Sequence, residues 1–476
     1  MSKLILKGVS WSAVERFSVQ IVQFVISVVL ARLLVPEAYG IVALAMVILH
    51  VLQTINEVGF GEALMHKLDR GELDFSSVFV MNISLGCFLY GLLFLFAPLL
   101  ERIFNVDGLS VVIRWIGLNL VITSFVVVQR AILIIAVDFK TIAKSSLLAV
   151  VISGTVGIIY AYCGGGVMAL VLQSLLNNII TTILIWIQSK WRPSLKFSWP
   201  HFVALFKYAY KLIIARFINT IFNEAFTAVV GAFYSPAQLG LYNRAKSFET
   251  LGSSNITSIV QRVSTPVLCE KQYKLLELAD SLMYFIRNTA FIVYPLLVGM
   301  IVLADPLIHL LLTDKWSGAI WILQVLSPVG LCYVVSTFNM NIFNATGRTD
   351  WALQCEVIKK VVDVFIIIIA LHVSFKCLVW SQIIIAVFEM VVNLWYTKKQ
   401  IGLTYLSQFR NIADILFASI IMALVVLLVT TPLNNSAMKL ILGVISGGVT
   451  YLFLCFILNI NATRSRFIQL LRKNRK

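Results

Sequence analysis

The chain has 476 residues, of which 60% are hydrophobic and only 13% charged, and its mean hydropathy is +0.92. Soluble domains carry about 25% charged residues, so this composition excludes a water-soluble enzyme or binding module and points to a protein solvated mainly by lipid. The net charge of +16 does not indicate nucleic acid, because Lys and Arg are dispersed over connecting segments and cluster only at 464–476, a tail suited to anionic headgroups.

Apolar stretches of membrane-spanning length recur from end to end. They predict fourteen helices near 10–33, 40–65, 75–100, 109–130, 141–163, 166–188, 207–232, 245–268, 282–312, 318–345, 353–373, 375–397, 411–431 and 436–460. The first contains Glu15 and Arg16 and is expected to stay as a helix, because a cleaved signal has a shorter, uninterrupted apolar run. Asn56 to Gly61 (NEVGFG) should interrupt the second span, and Pro295 with Gly299 the ninth. Asp69, Glu72 and Asp74 read as solvated charge in a short loop. Segment 189–206 is basic, aromatic and broken by proline, which suits either an interfacial strip or a plain linker. The seven cysteines are scattered, without C-x-x-C spacing, and read as small apolar fillers.

Basic residues set the expected orientation. With a cytoplasmic N-terminus, 28 of the 38 Lys and Arg fall on inside loops and ends and five on outside ones, Arg32, Arg102, Lys315, Lys376 and Lys439. That bias predicts both termini in the cytoplasm and an even number of spans.

An internal echo runs through the chain at an offset of 200 positions. Arg16, Gln20, Gln23 and Ser27 form a polar stripe on one helix face, and Arg216, Thr220, Asn223 and Thr227 form another. Without gaps, 7–45 and 207–245 share eight identities in 39, including Pro36/Pro236, Gly40/Gly240 and Ala45/Ala245. The echo returns at an offset of 209 as Gln173/Gln382, Trp186/Trp395 and Lys190/Lys399. The expected architecture is therefore all-α: a six-helix bundle at 1–190, a cytoplasmic linker at 191–206, a second six-helix bundle at 207–400 in parallel orientation around a central cavity, and two extra helices with a basic tail at 401–476.

Polar groups within such helices are expensive in lipid and so mark candidate sites. Arg16 and Arg216, flanked by Gln20, Gln23, Thr220 and Asn223, would suit an anionic head bearing hydroxyl-rich groups; alternatively both arginines snorkel to the headgroups. Glu224 and Glu57 are the candidates for carrying a proton or cation, Glu224 standing where the first half has Phe24. The alternative for Glu224 is a structural partner for Arg216 or another base. Asp363, Glu389 and Asp414 are further acids inside or near spans. Neither a catalytic constellation, a metal-ligand spacing nor a nucleotide-binding loop is present, and His50, His66, His201, His309 and His372 stand isolated in the sequence.

Several segments in order resemble one family. Leu34 to Gly40 (LVPEAYG) resembles the "L-x-P-x-x-(Y/F)-G" signature of Wzx-type polysaccharide exporters, within the superfamily of multidrug, oligosaccharidyl-lipid and polysaccharide flippases. Gly59 to Leu64 resembles its "G-x-x-x-A-L" element, Leu239 to Ala245 its "L-G-x-Y-x-x-A" motif, and Arg262 to Pro266 its "R-V-x-x-P". Asp314-Lys315-Trp316 with Ala319, and Gly347-Arg348, match two more, and the group nearest in pattern is the colanic-acid type. The resemblance implies two bundles around a cavity in a bacterial inner membrane and movement of an undecaprenyl-pyrophosphate-linked oligosaccharide by alternating access. It further implies an anion-binding role for Arg16 and Arg216, no cofactor beyond coupling to H+ or Na+, membrane lipids as surroundings, polysaccharide polymerase and glycosyltransferases as partners, and a monomer. Two other readings compete: a drug/cation antiporter of the same superfamily, expected to have acid-dominated cavities, and a membrane polymerase or ligase, expected to have a large outward loop.

Overall fold

The computed structural model describes residues 2–67, 69–194 and 196–462, and within them the side chains other than those of 2–17, 57–60, 208, 211, 215, 349 and 462. Eighteen α-helices run in order: α1 (Ser2–Leu33), α2 (Pro36–Gln53), α3 (Gly59–His66), α4 (Glu72–Phe104), α5 (Leu109–Ser124), α6 (Val127–Ile135), α7 (Phe139–Tyr162), α8 (Val167–Gln188), α9 (Trp199–Phe233), α10 (Pro236–Gly252), α11 (Ser254–Glu270), α12 (Leu275–Val302), α13 (Ala304–Leu311), α14 (Ala319–Ala345), α15 (Thr349–Leu371), α16 (Phe375–Ile401), α17 (Tyr405–Thr430) and α18 (Ser436–Ile457). Helix occupies each of the fourteen expected spans, and no strand occurs among the described residues. Ten helical stretches are long and apolar enough to cross a membrane, and α5 with α6 makes an eleventh bent by 44°. In α15 the first fifteen residues carry Asp350, Glu356, Lys359, Lys360 and Asp363, so the helix forms over an expected span without reaching that apolarity.

Packing divides the chain into Met1–Gly240 and Leu241–Lys476. The first unit therefore includes α9, which belongs by sequence to the second repeat. Compactness follows side-chain contact and the repeat follows residue identity, so the two divisions need not coincide. Within this unit α1 lies along α7 and α7 along α8, while α9 packs on α2, α3 and α4. Ile26 of α1 fits against Gly154 of α7, where a Cβ would come within 2.1 Å of it. Ala63, Leu64, Val78, Phe79, Phe202 and Leu205 form a core between α3, α4 and α9.

Two details correct the sequence reading. Asp74 is buried: its carboxylate accepts from the Gly71 amide at 2.8 Å and pairs with Lys67 at 2.7 Å, capping α4 where solvated charge was expected. The segment after α8 is fixed to α4, because the Ser198 and Ser194 amides donate to the hydroxyls of Ser77 and Ser76, and Trp191 sits edge-on to Phe79 with centroids 5.9 Å apart.

The second span breaks where expected, as a π-helical turn over Thr54–Val58 between α2 and α3. The ninth does not break at Pro295: α12 continues through it to Val302, and the interruption falls at Leu303 before α13. In the second unit α12 and α14 pack along each other and α14 on α16, with α17 against α12 and α18. Arg287 of α12 holds the extra helix α17 through a two-pronged pair with Asp414, at 3.0 and 2.5 Å, and also donates to Asn461 at 2.7 Å.

The repeat reappears as a reciprocal contact between the starts of α2 and α10. A Cβ at Gly40 would lie 1.8 Å from the Pro236 carbonyl oxygen, and one at Gly240 would lie 1.8 Å from that of Pro36. Only glycine allows the two helices to meet backbone to backbone here. Gly40→Ala and Gly240→Ala should each lower the thermal midpoint in detergent, by the equivalent of about 1–3 kcal/mol. Gly91→Ala, whose Cβ meets nothing within 4 Å, should not. Equal midpoints for all three variants would contradict the contact.

Candidate functional site

From the glycine contact, α2 and α9 descend side by side in opposite directions. Leu44 fills the space at Gly231, where a Cβ would come within 2.1 Å of it. Below it the helices exchange polar groups: His50 Nδ1 meets Glu224 Oε1 at 2.8 Å, Thr54 Oγ1 meets Thr220 Oγ1 at 3.0 Å, and Arg216 Nη2 reaches Glu62 Oε1 of α3 at 3.3 Å. Steps of four residues along α9 present Arg216, Thr220 and Glu224 on one face, and His50 and Thr54 answer with the same step on α2. The Thr54 hydroxyl directs its single hydrogen to the His50 carbonyl at 2.9 Å, so Thr220 is the donor across the interface. Glu224 as a carboxylate only accepts, which puts a hydrogen on His50 Nδ1.

The ladder is exposed at its ends. The side chains of His50 and Glu224 are 49% and 25% exposed, and those of Arg216 and Glu62 are 62% and 37% exposed, whereas Thr54 between them is buried. An ion pair this exposed contributes roughly 0–1 kcal/mol, so Arg216 can release Glu62 for a stronger anion at little cost. Asn223 donates to Asn219 at 2.6 Å on the exposed side of α9, adding amide groups beside the rung.

The structure thus gathers Arg216 and Thr220 of the second stripe with the separate candidate Glu224 and adds His50, Thr54 and Glu62, which the sequence reading passed over. The partner of Glu224 is His50; Arg216 goes to Glu62. The first stripe stands on α1, whose packing partner is α7: Gln20 is half-buried, Gln23 is exposed, and Ser27 donates to the Phe24 carbonyl at 2.9 Å. The side chains of Arg16 and of Glu57, in the π-helical turn, lie outside the described residues. His50 and Thr54 were detectable by the four-residue polar step that exposed the other stripes; their pairing with α9 was not.

At the start of the second unit, the segment Leu241 to Glu249 holds buried charge. The Arg244 guanidinium lies over Trp316 with its carbon 5.5 Å from the ring centroid, and buried Glu249 pairs with Lys246 at 3.2 Å and accepts from Ser253. The seven cysteines remain apart as free thiols.

An all-α chain with this many spans and a polar ladder between two of them is a polytopic membrane protein with a transporter fold. The fold matches that of the lipid II flippase MurJ in an inward closed conformation, with a TM-score of 0.79 at 18% identity over 95% of this chain and 99% of that one. The model of a family described as polysaccharide biosynthesis protein matches residues 29–321, and the chain belongs to that family. The teichuronic acid biosynthesis protein TuaB of Bacillus subtilis (strain 168) is 25% identical over 100% of this chain and 99% of its own length. The lipopolysaccharide biosynthesis protein WzxC of Escherichia coli (strain K12) is 23% identical over 74% of this chain and 72% of its own, which bears out the Wzx-type resemblance of the motifs.

If the rung is a real coupling, His50→Ala and Glu224→Gln should not add. The double variant should melt close to the worse single variant, giving an interaction energy of about 0.2–1 kcal/mol in a double-mutant cycle. Strict additivity would separate the two residues.

Proposed function

We propose that the protein moves an undecaprenyl-pyrophosphate-linked oligosaccharide from the cytoplasmic to the outer leaflet of a bacterial cytoplasmic membrane by alternating access. The observation that carries this reading is the ladder itself, in which an exposed, weakly engaged arginine stands among hydroxyl and amide groups on otherwise apolar helices. A guanidinium supplies a fork of donors for a pyrophosphate, and Thr220, Asn223, Gln20 and Gln23 supply neutral hydrogen-bonding groups for the sugars. Membership in a polysaccharide biosynthesis family supports a glycan cargo, as do relatives named for making teichuronic acid and lipopolysaccharide. A fold shared with a lipid II flippase supports a lipid-borne one.

Both termini are assigned to the cytoplasm on the distribution of Lys and Arg. The protein is read as a monomer without cofactor, working beside the polymerase and glycosyltransferases that consume and supply its cargo. No catalytic step is assigned to it. The drug-antiporter reading gains little from the site, where Arg216 answers Glu62 and the hydroxyls and amides of Thr54, Thr220, Asn219 and Asn223 outnumber the acids. Glu224, and Glu57 by its place in the π-helical turn, remain the candidates for handling H+ or Na+ in the first unit.

Replacement of Arg216 by Ala should cut export of the linked polysaccharide at least about tenfold, the loss of one charge-assisted hydrogen bond, while the protein still reaches the membrane. The Arg16→Ala variant should behave in the same way. Full export from both variants would remove the arginines from cargo binding.

A further inference from the structure

In the second unit α15 and α16 bring three charged groups together. Lys360 Nζ lies 3.2 Å from Asp363 Oδ2 and 3.2 Å from Glu389 Oε1. The Asp363 side chain is 10% exposed, and its other oxygen, Oδ1, is buried without a hydrogen-bond partner. Glu389 stands within hydrogen-bonding reach of Asp363. Neighbouring charges are already engaged: Lys359 pairs with Glu356, and Arg287 of α12 pairs with Asp414 of α17. Helix α14, which packs on both α15 and α16, carries no charged side chain, and its titratable groups are Cys332 and Tyr333.

One ammonium facing two carboxylates leaves a net negative charge in an apolar setting, together with a buried acceptor that lacks a donor. Both deficits are removed by one proton. Placed on Glu389, it makes that carboxyl a donor beside Asp363, whose Oδ1 lacks one, and the triad becomes neutral. Loss of the proton restores the net charge and favours any arrangement that admits water. A site whose charge state changes its preferred hydration is suited to couple proton movement to a conformational cycle.

We infer that Lys360, Asp363 and Glu389 form a proton-binding site that couples the cargo movement proposed above to a proton gradient. Two carboxyl groups share one exchangeable proton, and Lys360 fixes their separation. The inference rests on the transport reading, so the test has two independent arms on the full chain. Infrared difference spectra of the detergent-solubilised protein between acidic and alkaline buffer report a buried protonated carboxyl directly. The wild type should show that band, and the isosteric variants Asp363→Asn and Glu389→Gln, melting as the wild type does, should each lose it.

In proteoliposomes, an imposed pH gradient should accelerate flipping of the lipid-linked oligosaccharide by the wild type, and the variants should lose that acceleration by a factor of about 5–150. A wild type that moves no cargo but keeps the carboxyl band defeats the transport reading alone. A band that survives in both variants, pH-gradient acceleration undiminished in either, or transport by the wild type driven by sodium without any response to pH, overturns the inference. If the variants misfold, Lys360→Met provides the second measurement: removing the ammonium should make the triad hold its proton into more alkaline buffer, and an unmoved band would overturn the assignment.

Discussion

The closest backbone approach described here, Gly40 against Pro236 and Gly240 against Pro36, fixes the register of everything beneath it in the first unit. Side chains of any size would hold the starts of α2 and α10 apart, and α9, ending three residues before Pro236, would shift with them. With the contact in place, each turn down α2 is matched by a turn back along α9. Leu44 meets Gly231, His50 meets Glu224, and Thr54 meets Thr220. The π-helical turn at Thr54–Val58 then changes the pitch, and Arg216 spans the difference with its long side chain to reach Glu62. Polar groups that would each be costly in lipid become tolerable because a backbone contact several turns away sets their pairing.

Much of this was legible in the sequence, for identifiable reasons. Apolar length alone located fourteen stretches that all fold as helix, ten of them, or eleven with the bent pair α5 and α6, long and apolar enough to cross a membrane. The echo of Pro36 and Gly40 in Pro236 and Gly240 signalled duplication, and the same residues turn out to touch. Partners across helices were not legible: His50 was set aside as isolated, and Glu224 was offered to Arg216 or another unnamed base, because spacing along one helix says nothing about its neighbour. Asp74 looked solvated for a similar reason, since the capping of α4 and the pairing with Lys67 are formed only on folding. Lys360 and Asp363 share a helix face at a three-residue step, and Glu389 was among the acids noted within spans, yet nothing in the chain showed that it would join them. The break assigned to Pro295 fell instead at Leu303, as a long helix can absorb a proline when its neighbours hold it.

The two repeats have diverged in chemistry while keeping their frame. Where the second copy has Glu224, paired with His50, the first has Phe24, whose carbonyl accepts the Ser27 hydroxyl. Acidic groups stand on α9, as Glu224, and on α15 with α16, as Asp363 and Glu389, whereas the amides of the first stripe are neutral. The account therefore assigns cargo contacts to both stripes and ion handling to these acids, with Glu57 as the one candidate in the first repeat.

The central claim is that the protein carries a lipid-linked oligosaccharide across the bilayer. Its most direct test is reconstitution of the purified full chain into liposomes bearing undecaprenyl-pyrophosphate-linked oligosaccharide, with a membrane-impermeant lectin reporting glycan exposure on the outer surface. The account predicts time-dependent appearance of buried glycan at the surface, above the rate in empty liposomes and abolished in Arg216→Ala. Exposure no faster than in empty liposomes, from a preparation that instead expels a cationic dye, would contradict it.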